Sequence, residues 1–150
     1  MIAGPLQLYD SAVLSLVDGS RKPLSQEPLT ALLLKPTYVP DLAAHTQLTD
    51  VEALEANTGD YRRLALTGPI IRAMAGGASF SSDPISWGNP VSLPPVKYLL
   101  LAYGAPGTLS GSSSLLGVLD LAENAPAVEA VRSSFTVTPP AGGWFILSRA

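Results

Sequence analysis

Proline and glycine punctuate this chain more heavily than any other feature. Fourteen prolines and thirteen glycines cut everything beyond residue 19 into short apolar segments, and that rhythm predicts an all-β domain. The expected strands are Leu29–Lys35, Tyr61–Thr67, Pro69–Ala75, Ala78–Ser81, Ile85–Trp87, Val96–Tyr103, Leu115–Leu121, Ser133–Thr138 and Trp144–Arg149. Several alternate in the strand manner, with Phe135 and Val137 on one face and Thr136 and Thr138 on the other. Lys97–Tyr103 is almost continuously apolar, which predicts a central strand buried on both faces.

Two stretches escape the strand pattern. Leu6, Tyr9, Val13, Leu16 and Val17 recur at helical spacing with Gly19 as a stop, so residues 5–17 are expected to form a short amphipathic N-terminal helix. Within residues 41–56, Asp41 or Thr49 can cap a turn or two ahead of Val51-Glu52-Ala53-Leu54. GTLSGSSS (107–114) has the composition of a flexible hairpin tip. No repeat and no long linker divides the chain, so the expectation is a single β-sandwich or jelly-roll-like domain spanning residues 1–150. A chain of this length can bury about two-thirds of its unfolded surface.

Charge narrows the choice of partners. Charged residues make up 14% of the chain against 47% hydrophobic, and the formal net charge is −3. Arg21-Lys22 and Arg62-Arg63 are the only adjacent basic residues, so the chain cannot neutralise many phosphates and nucleic acid is excluded as a partner. The chain has no cysteine, which removes disulfides, thiolate zinc sites and a cysteine nucleophile together. The N-terminus lacks a basic start and Asp10 interrupts its apolar positions, unlike a signal peptide. The longest apolar run, Tyr98–Tyr103, is too short to cross a bilayer as a helix, so no membrane partner is expected.

The stretch LLLKPTYVPDLAAHTQLTDV (32–51) holds the sole histidine, His45, between Asp41 and Asp50. Any Ser-His-Asp enzyme must run through it, yet no serine sits in a G-x-S-x-G elbow, and GGASFSS (76–82) lacks the closing glycine. A surface-loop histidine is the favoured reading. Asp41, His45 and Asp50 form only a partial transition-metal set, and Asp50, Glu52, Glu55 and Asp60 do not match a calcium loop. The twelve acids are scattered singly and single out no glycosidase pair. GAPGTLSG (104–111) lacks the lysine and the following helix of a phosphate loop. The expectation is therefore no catalytic, cofactor-binding or metal site.

Other features favour assembly. Proline-rich loops at 36–40, 90–95 and 139–143 lose little conformational entropy on docking. Trp87 and Trp144, in SWGNP and PAGGWF, read first as buried pins of a sandwich at strand ends, and second as interface anchors.

The order of segments carries a resemblance. A short N-terminal helix ending in Asp18-Gly19 leads to LTALLLKPTY (29–38) and VPDLAAHTQLTDV (39–51), then EALEANTGDYRRLAL (52–66). An F-x-x-D-P-I-x-W segment follows (80–87), then VKYLLLAYG (96–104), LLGVLDL (115–121) and FTVTPPAGGWFILS (135–148). Over almost its whole length the chain resembles a widespread group of small tailed-bacteriophage virion structural proteins, most of all capsid decoration (cement) proteins. The matching positions are Tyr38, Pro40, Asp41, His45, Asp50, Val51, Gly59, Tyr61, Trp87, Tyr103, Gly143 and Trp144, and the resemblance implies that they define the fold. It also implies a non-enzymatic protein on the capsid surface, made in the host cytoplasm. Its expected partner is the major capsid protein, with a homotrimer at local three-fold positions. A tail, baseplate or head-fibre component and a carbohydrate-binding β-sandwich are the alternatives. The N-terminal segment departs from the group in lacking basic residues.

Overall fold

Leu29–Leu34 and Tyr98–Tyr103 are the two runs in which neither glycine nor proline interrupts the apolar residues, and they lie side by side at the centre of the molecule. In the computed structural model, which describes residues 1–148, they are β2 and β7. They pair antiparallel with Leu32 opposite Leu100 and Leu33 opposite Leu99. β8 (Leu115–Asp120) flanks β7, and the short β1 (Gln7–Leu8) and β3 (Leu64–Ala65) close the edges, giving a five-stranded antiparallel sheet ordered β1-β8-β7-β2-β3.

The centre of this sheet is dry on both faces. Ala31, Leu33, Leu99 and Leu101 point to one side and join a cluster with Phe80, Trp87, Leu93, Val96, Phe135 and Trp144. These come largely from a long two-stranded ribbon, β6 (Ile85–Val96) with β9 (Val128–Val137), and from a three-stranded sheet. That sheet is ordered β10 (Phe145–Ser148), β5 (Gly77–Ser81), β4 (Ile70–Met74). Leu32, Leu34, Leu100, Ala102, Leu115 and Val118 point the other way, against Tyr9, Tyr38, Leu48 and Val51. A strand buried on both faces must be apolar or have its polar groups bonded, and β2 is buried at all six positions: five are apolar, and the Thr30 hydroxyl donates to the Gly104 carbonyl.

The fold is thus mainly β, with antiparallel sheets and one short helix, as the sequence predicts. Boundaries differ for physical reasons. The helix is α1, Asp10–Asp18, and residues 7–8 belong instead to β1. Of the residues expected on its apolar face, Leu6 and Tyr9 are buried ahead of the helix, whereas Val13 and Val17 are exposed. The expected strand 85–87 runs on to Val96, because register shifts at Gly88, Val91 and Leu93 let β6 carry its prolines past β9. Only Leu64–Ala65 of 61–67 pairs as a strand. Serine-rich 107–114 is tied down: Leu48 and Thr49 donate backbone N–H bonds to the carbonyls of Ser113 and Gly111. The expected strand 144–149 is observed as Phe145–Ser148, and Arg149 lies outside the described residues.

Two glycines are required by their surroundings. Gly59 has φ +65° and a Cβ there would meet the Ser92 carbonyl oxygen at 2.6 Å; Gly143 has φ +90° and would meet that of Phe80 at 2.5 Å.

Leu100 sits in the middle of the doubly covered strand with no exposure. Leu100→Ala is expected to cost about 2–5 kcal/mol in denaturant unfolding, whereas Val39→Ala, at an exposed position, costs less than ~0.5 kcal/mol.

Candidate functional site

The segment after β2 folds across the second face of the central sheet. Pro36 ends β2, and the chain then runs through turns and two 3-10 turns, Leu48–Asp50 and Glu52–Leu54. Its backbone is tied at intervals: Lys35 N–H to Leu54 C=O, Ala56 N–H to Leu33 C=O, and Leu115 N–H to Thr46 C=O. Leu48 and Val51 supply its apolar underside.

Inside this cover runs a chain of hydrogen bonds. The Tyr9 hydroxyl lies 2.7 Å from that of Tyr38, which lies 2.8 Å from His45 Nδ1. Tyr98 packs edge-on against Tyr38 at 5.5 Å between ring centres. Tyr9 is fully buried, and Tyr38 is the one partner of its hydroxyl among the described residues. Only one proton order satisfies every donor: Tyr9 donates to Tyr38, and Tyr38 donates to an unprotonated Nδ1. In that order a neutral His45 ring carries its hydrogen on Nε2. Burial first, and the bond to Tyr38 second, raise the pKa of Tyr9; burial also raises that of Tyr38.

The two flanking aspartates serve the backbone. Asp41 Oδ1 accepts the N–H groups of Ala43 and Ala44, and Asp50 Oδ2 accepts those of Thr46 and Gln47. These bonds hold the Asp50 carboxyl below the usual carboxylate range. Asp50 caps a turn, and His45, read from the sequence as a surface-loop residue, binds a tyrosine side chain. The reason is that Tyr38 is buried directly beneath it and needs an acceptor. Among the described residues no group of three or more His, Asp or Glu side chains is placed to hold a metal ion.

The other positions from the resemblance are structural. Tyr61 donates to Glu55 Oε1 at 2.6 Å, and Arg63 grips the same carboxylate with two bonds of 2.8 and 2.7 Å. That cluster locks the end of the covering segment to the approach to β3, and burial raises the Tyr61 pKa. Trp87 Nε1 donates to the Arg62 carbonyl and Trp144 Nε1 to Ser82 Oγ, and both indoles are buried. They are pins, Trp87 within β6 and Trp144 just ahead of β10. Tyr103 and Ser11 carry buried hydroxyls without partners among the described residues, beside a polar cleft of about 110 Å³ that has room for ordered water.

What the sequence reading missed lies outside. β4 is exposed at every position, and Ile70, Met74 and Ile146 stand out from the three-stranded sheet. α1 exposes Val13, Leu14 and Val17. The Ile70-Ile71 pair between Gly68-Pro69 and Gly76-Gly77 was the available signal, but an apolar strand reads as core when its partners are unknown.

Comparison with family models, with curated proteins and with solved structures returned no match.

Tyr38→Phe strands the buried Tyr9 hydroxyl and is expected to cost about 1–3 kcal/mol, more than His45→Ala, which leaves Tyr38 an outlet toward solvent. Chemical denaturation of both variants tests the order, and the reverse ranking contradicts the relay. The raised pKa values of Tyr9, Tyr38, Tyr61 and Tyr103 make the neutral phenols part of the folded state. Their contribution is complete below the unfolded value of about 10 and is lost as pH rises above it. In an alkaline titration followed at the tyrosinate band, these four should ionise together with unfolding; independent ionisation in the folded state contradicts the burial argument.

Proposed function

We propose that this chain is a non-enzymatic structural protein of a tailed-phage virion. In this reading it is a cement protein that binds the assembled lattice of the major capsid protein from outside, as a homotrimer. The observation that carries the reading is the placing of large apolar side chains on several separate faces of a sparsely charged chain. Val13, Leu14 and Val17 stand on the helix, Ile70, Met74 and Ile146 on the three-stranded sheet, and Ile2, Val39 and Val131 elsewhere. Scattered exposed apolar residues are ordinary, but clusters of them on an element face mark surfaces that partners cover. More than one such face suits a protein held between neighbours. The segment order shared with small phage structural proteins supports the same class.

A cement protein acts by linkage. It binds the assembled lattice better than free capsid subunits, so shell stability rises with its concentration and affinity. Engagement of one lattice subunit by an oligomer raises the effective concentration for the next. With apolar contacts dominating, binding depends weakly on salt.

Co-sedimentation with phage heads lacking this protein tests the reading. The bound fraction should be nearly unchanged between about 50 mM and 0.5 M salt, a range over which the screening length falls severalfold. His45→Ala should bind equally well while melting at lower temperature. Release in moderate salt, or no binding to heads, contradicts the proposal.

A further inference from the structure

Two uncovered surfaces of this chain fit each other. The first is the outer side of the three-stranded sheet. Phe80 and Phe145 lie opposite one another and point into the core, and Ile71, opposite Phe80, shares their face but is itself exposed. The alternation of the pleat then sends Ile70, Arg72, Met74 and Ile146 to the other side. Arg72 is in the middle of that face, level with Ser79 and Ile146. All four residues are exposed. On this face three large apolar side chains stand exposed beside Arg72 and the small residues Gly77, Ser79 and Ser81 of β5, without the second layer that packed sheet faces have.

The second surface is the outer side of α1. Asp10, Leu14 and Asp18 form one row at four-residue spacing, with Val13 and Val17 in the next row. Leu14 is 64% exposed and Val17 82%. A helix already packed through Ala12 does not need a second apolar stripe. The ion pairs among the described residues are Arg63–Glu55 and Lys97–Asp120; none involves Asp10, Asp18 or Arg72, although Asp18 Oδ1 accepts the backbone N–H of Ser20.

One face is apolar around a guanidinium, and the other is apolar between two carboxylates. We infer that α1 of one copy docks on the outer face of the β10-β5-β4 sheet of the next, with Leu14 and Val17 against Ile70, Met74 and Ile146, and Asp10 and Asp18 flanking Arg72. This deepens the cement-protein reading and rests on it for its biological setting, but the contact itself does not depend on a capsid. Different surfaces meet, so the contact is head-to-tail; such a contact gives a ring, of which a trimer is a small example, where its rotation closes, and a filament where it does not. The bare edge of β4 offers a poorer rival. Pairing it with a second β4 about its middle residue would bring two Arg72 guanidiniums together, and like charges opposite one another destabilise a strand pair. The charges act as selectors and the apolar residues supply the affinity.

Sedimentation of the full chain tests this. Wild type should form a closed oligomer. Leu14→Glu and Met74→Glu, one on each surface, should each weaken association by at least about tenfold, as expected for buried interface residues. The deciding experiment mixes the two. The intact sheet of the helix variant can receive the intact helix of the sheet variant, so the mixture should give a one-to-one dimer that grows no further. Arg72→Glu should also weaken association, and Asp10→Lys with Asp18→Lys should restore it. Circular dichroism checks folding, and Val17→Lys with Ile146→Lys replaces the first pair if either fails to fold. A wild-type chain that stays monomeric up to about 1 mM, the limit of weak specific binding, overturns the inference. So does an oligomer insensitive to these variants, or a mixture that does not pair. A monomer found abundantly in virions would sink this contact and leave the cement reading standing; an intact ring absent from virions would do the opposite.

Discussion

The structure depends on a sheet that is dry on both sides. β2 and β7 present leucine alternately to two opposite layers, and none of Leu32, Leu33, Leu99 and Leu100 retains any exposure. Each buried leucine contributes about 1.5–3 kcal/mol relative to exposure, so a strand pair of this kind is worth little unless both faces are covered. One cover comes from the β6–β9 ribbon and the three-stranded sheet. The other is not a sheet: Tyr9 and the segment between β2 and β3 lie over it.

That second requirement explains the character of residues 35–56. A segment with little regular structure is asked to seal an apolar sheet, so its own polar groups must be satisfied without a ladder. Asp41 and Asp50 accept pairs of backbone N–H groups, and Lys35 and Ala56 tie its ends to Leu54 and Leu33. Tyr9, Tyr38 and His45 carry a buried hydroxyl out to the surface through a single file of hydrogen bonds. The lone histidine flanked by aspartates, which invites a catalytic reading, stands at the outer end of this file of hydrogen bonds.

Much of this arrangement was legible in the sequence, and for identifiable reasons. The nearly continuous apolar run at 97–103 declares a doubly buried central strand, whereas 29–35 reads only as a strand and its pairing with 98–103 is seen in the structure alone; Gly59 and Gly143 stand where side chains would collide with backbone oxygens. Asp50 as a turn cap follows from its chemistry. The length of β6 was hidden, because its bulged pairing with β9 tolerates Pro90, Pro94 and Pro95, which normally end strands. The His45 partner was hidden because Tyr38 and Tyr9 are brought together by tertiary packing, Tyr9 from 29 residues earlier in the chain. The apolar periodicity of the N-terminal segment was real but misassigned. Leu6 and Tyr9 serve the core, while Val13 and Val17 face outward, and periodicity alone does not say which apolar stripe stays inside a single copy.

That outward stripe and the bare sheet face shift attention from chemistry to contact. The dry centre makes a stiff platform, its covering segment is fully occupied in sealing it, and the surfaces left over are apolar faces at the periphery. On the reading proposed above, such a protein works by being held between others. The most direct measurement is its copy number in purified virions, by quantitative mass spectrometry against the major capsid protein. A number comparable to that of the capsid protein is expected for a lattice-binding cement. A few copies per particle would place it at a tail or vertex, and absence from the virion would contradict the assembly role altogether.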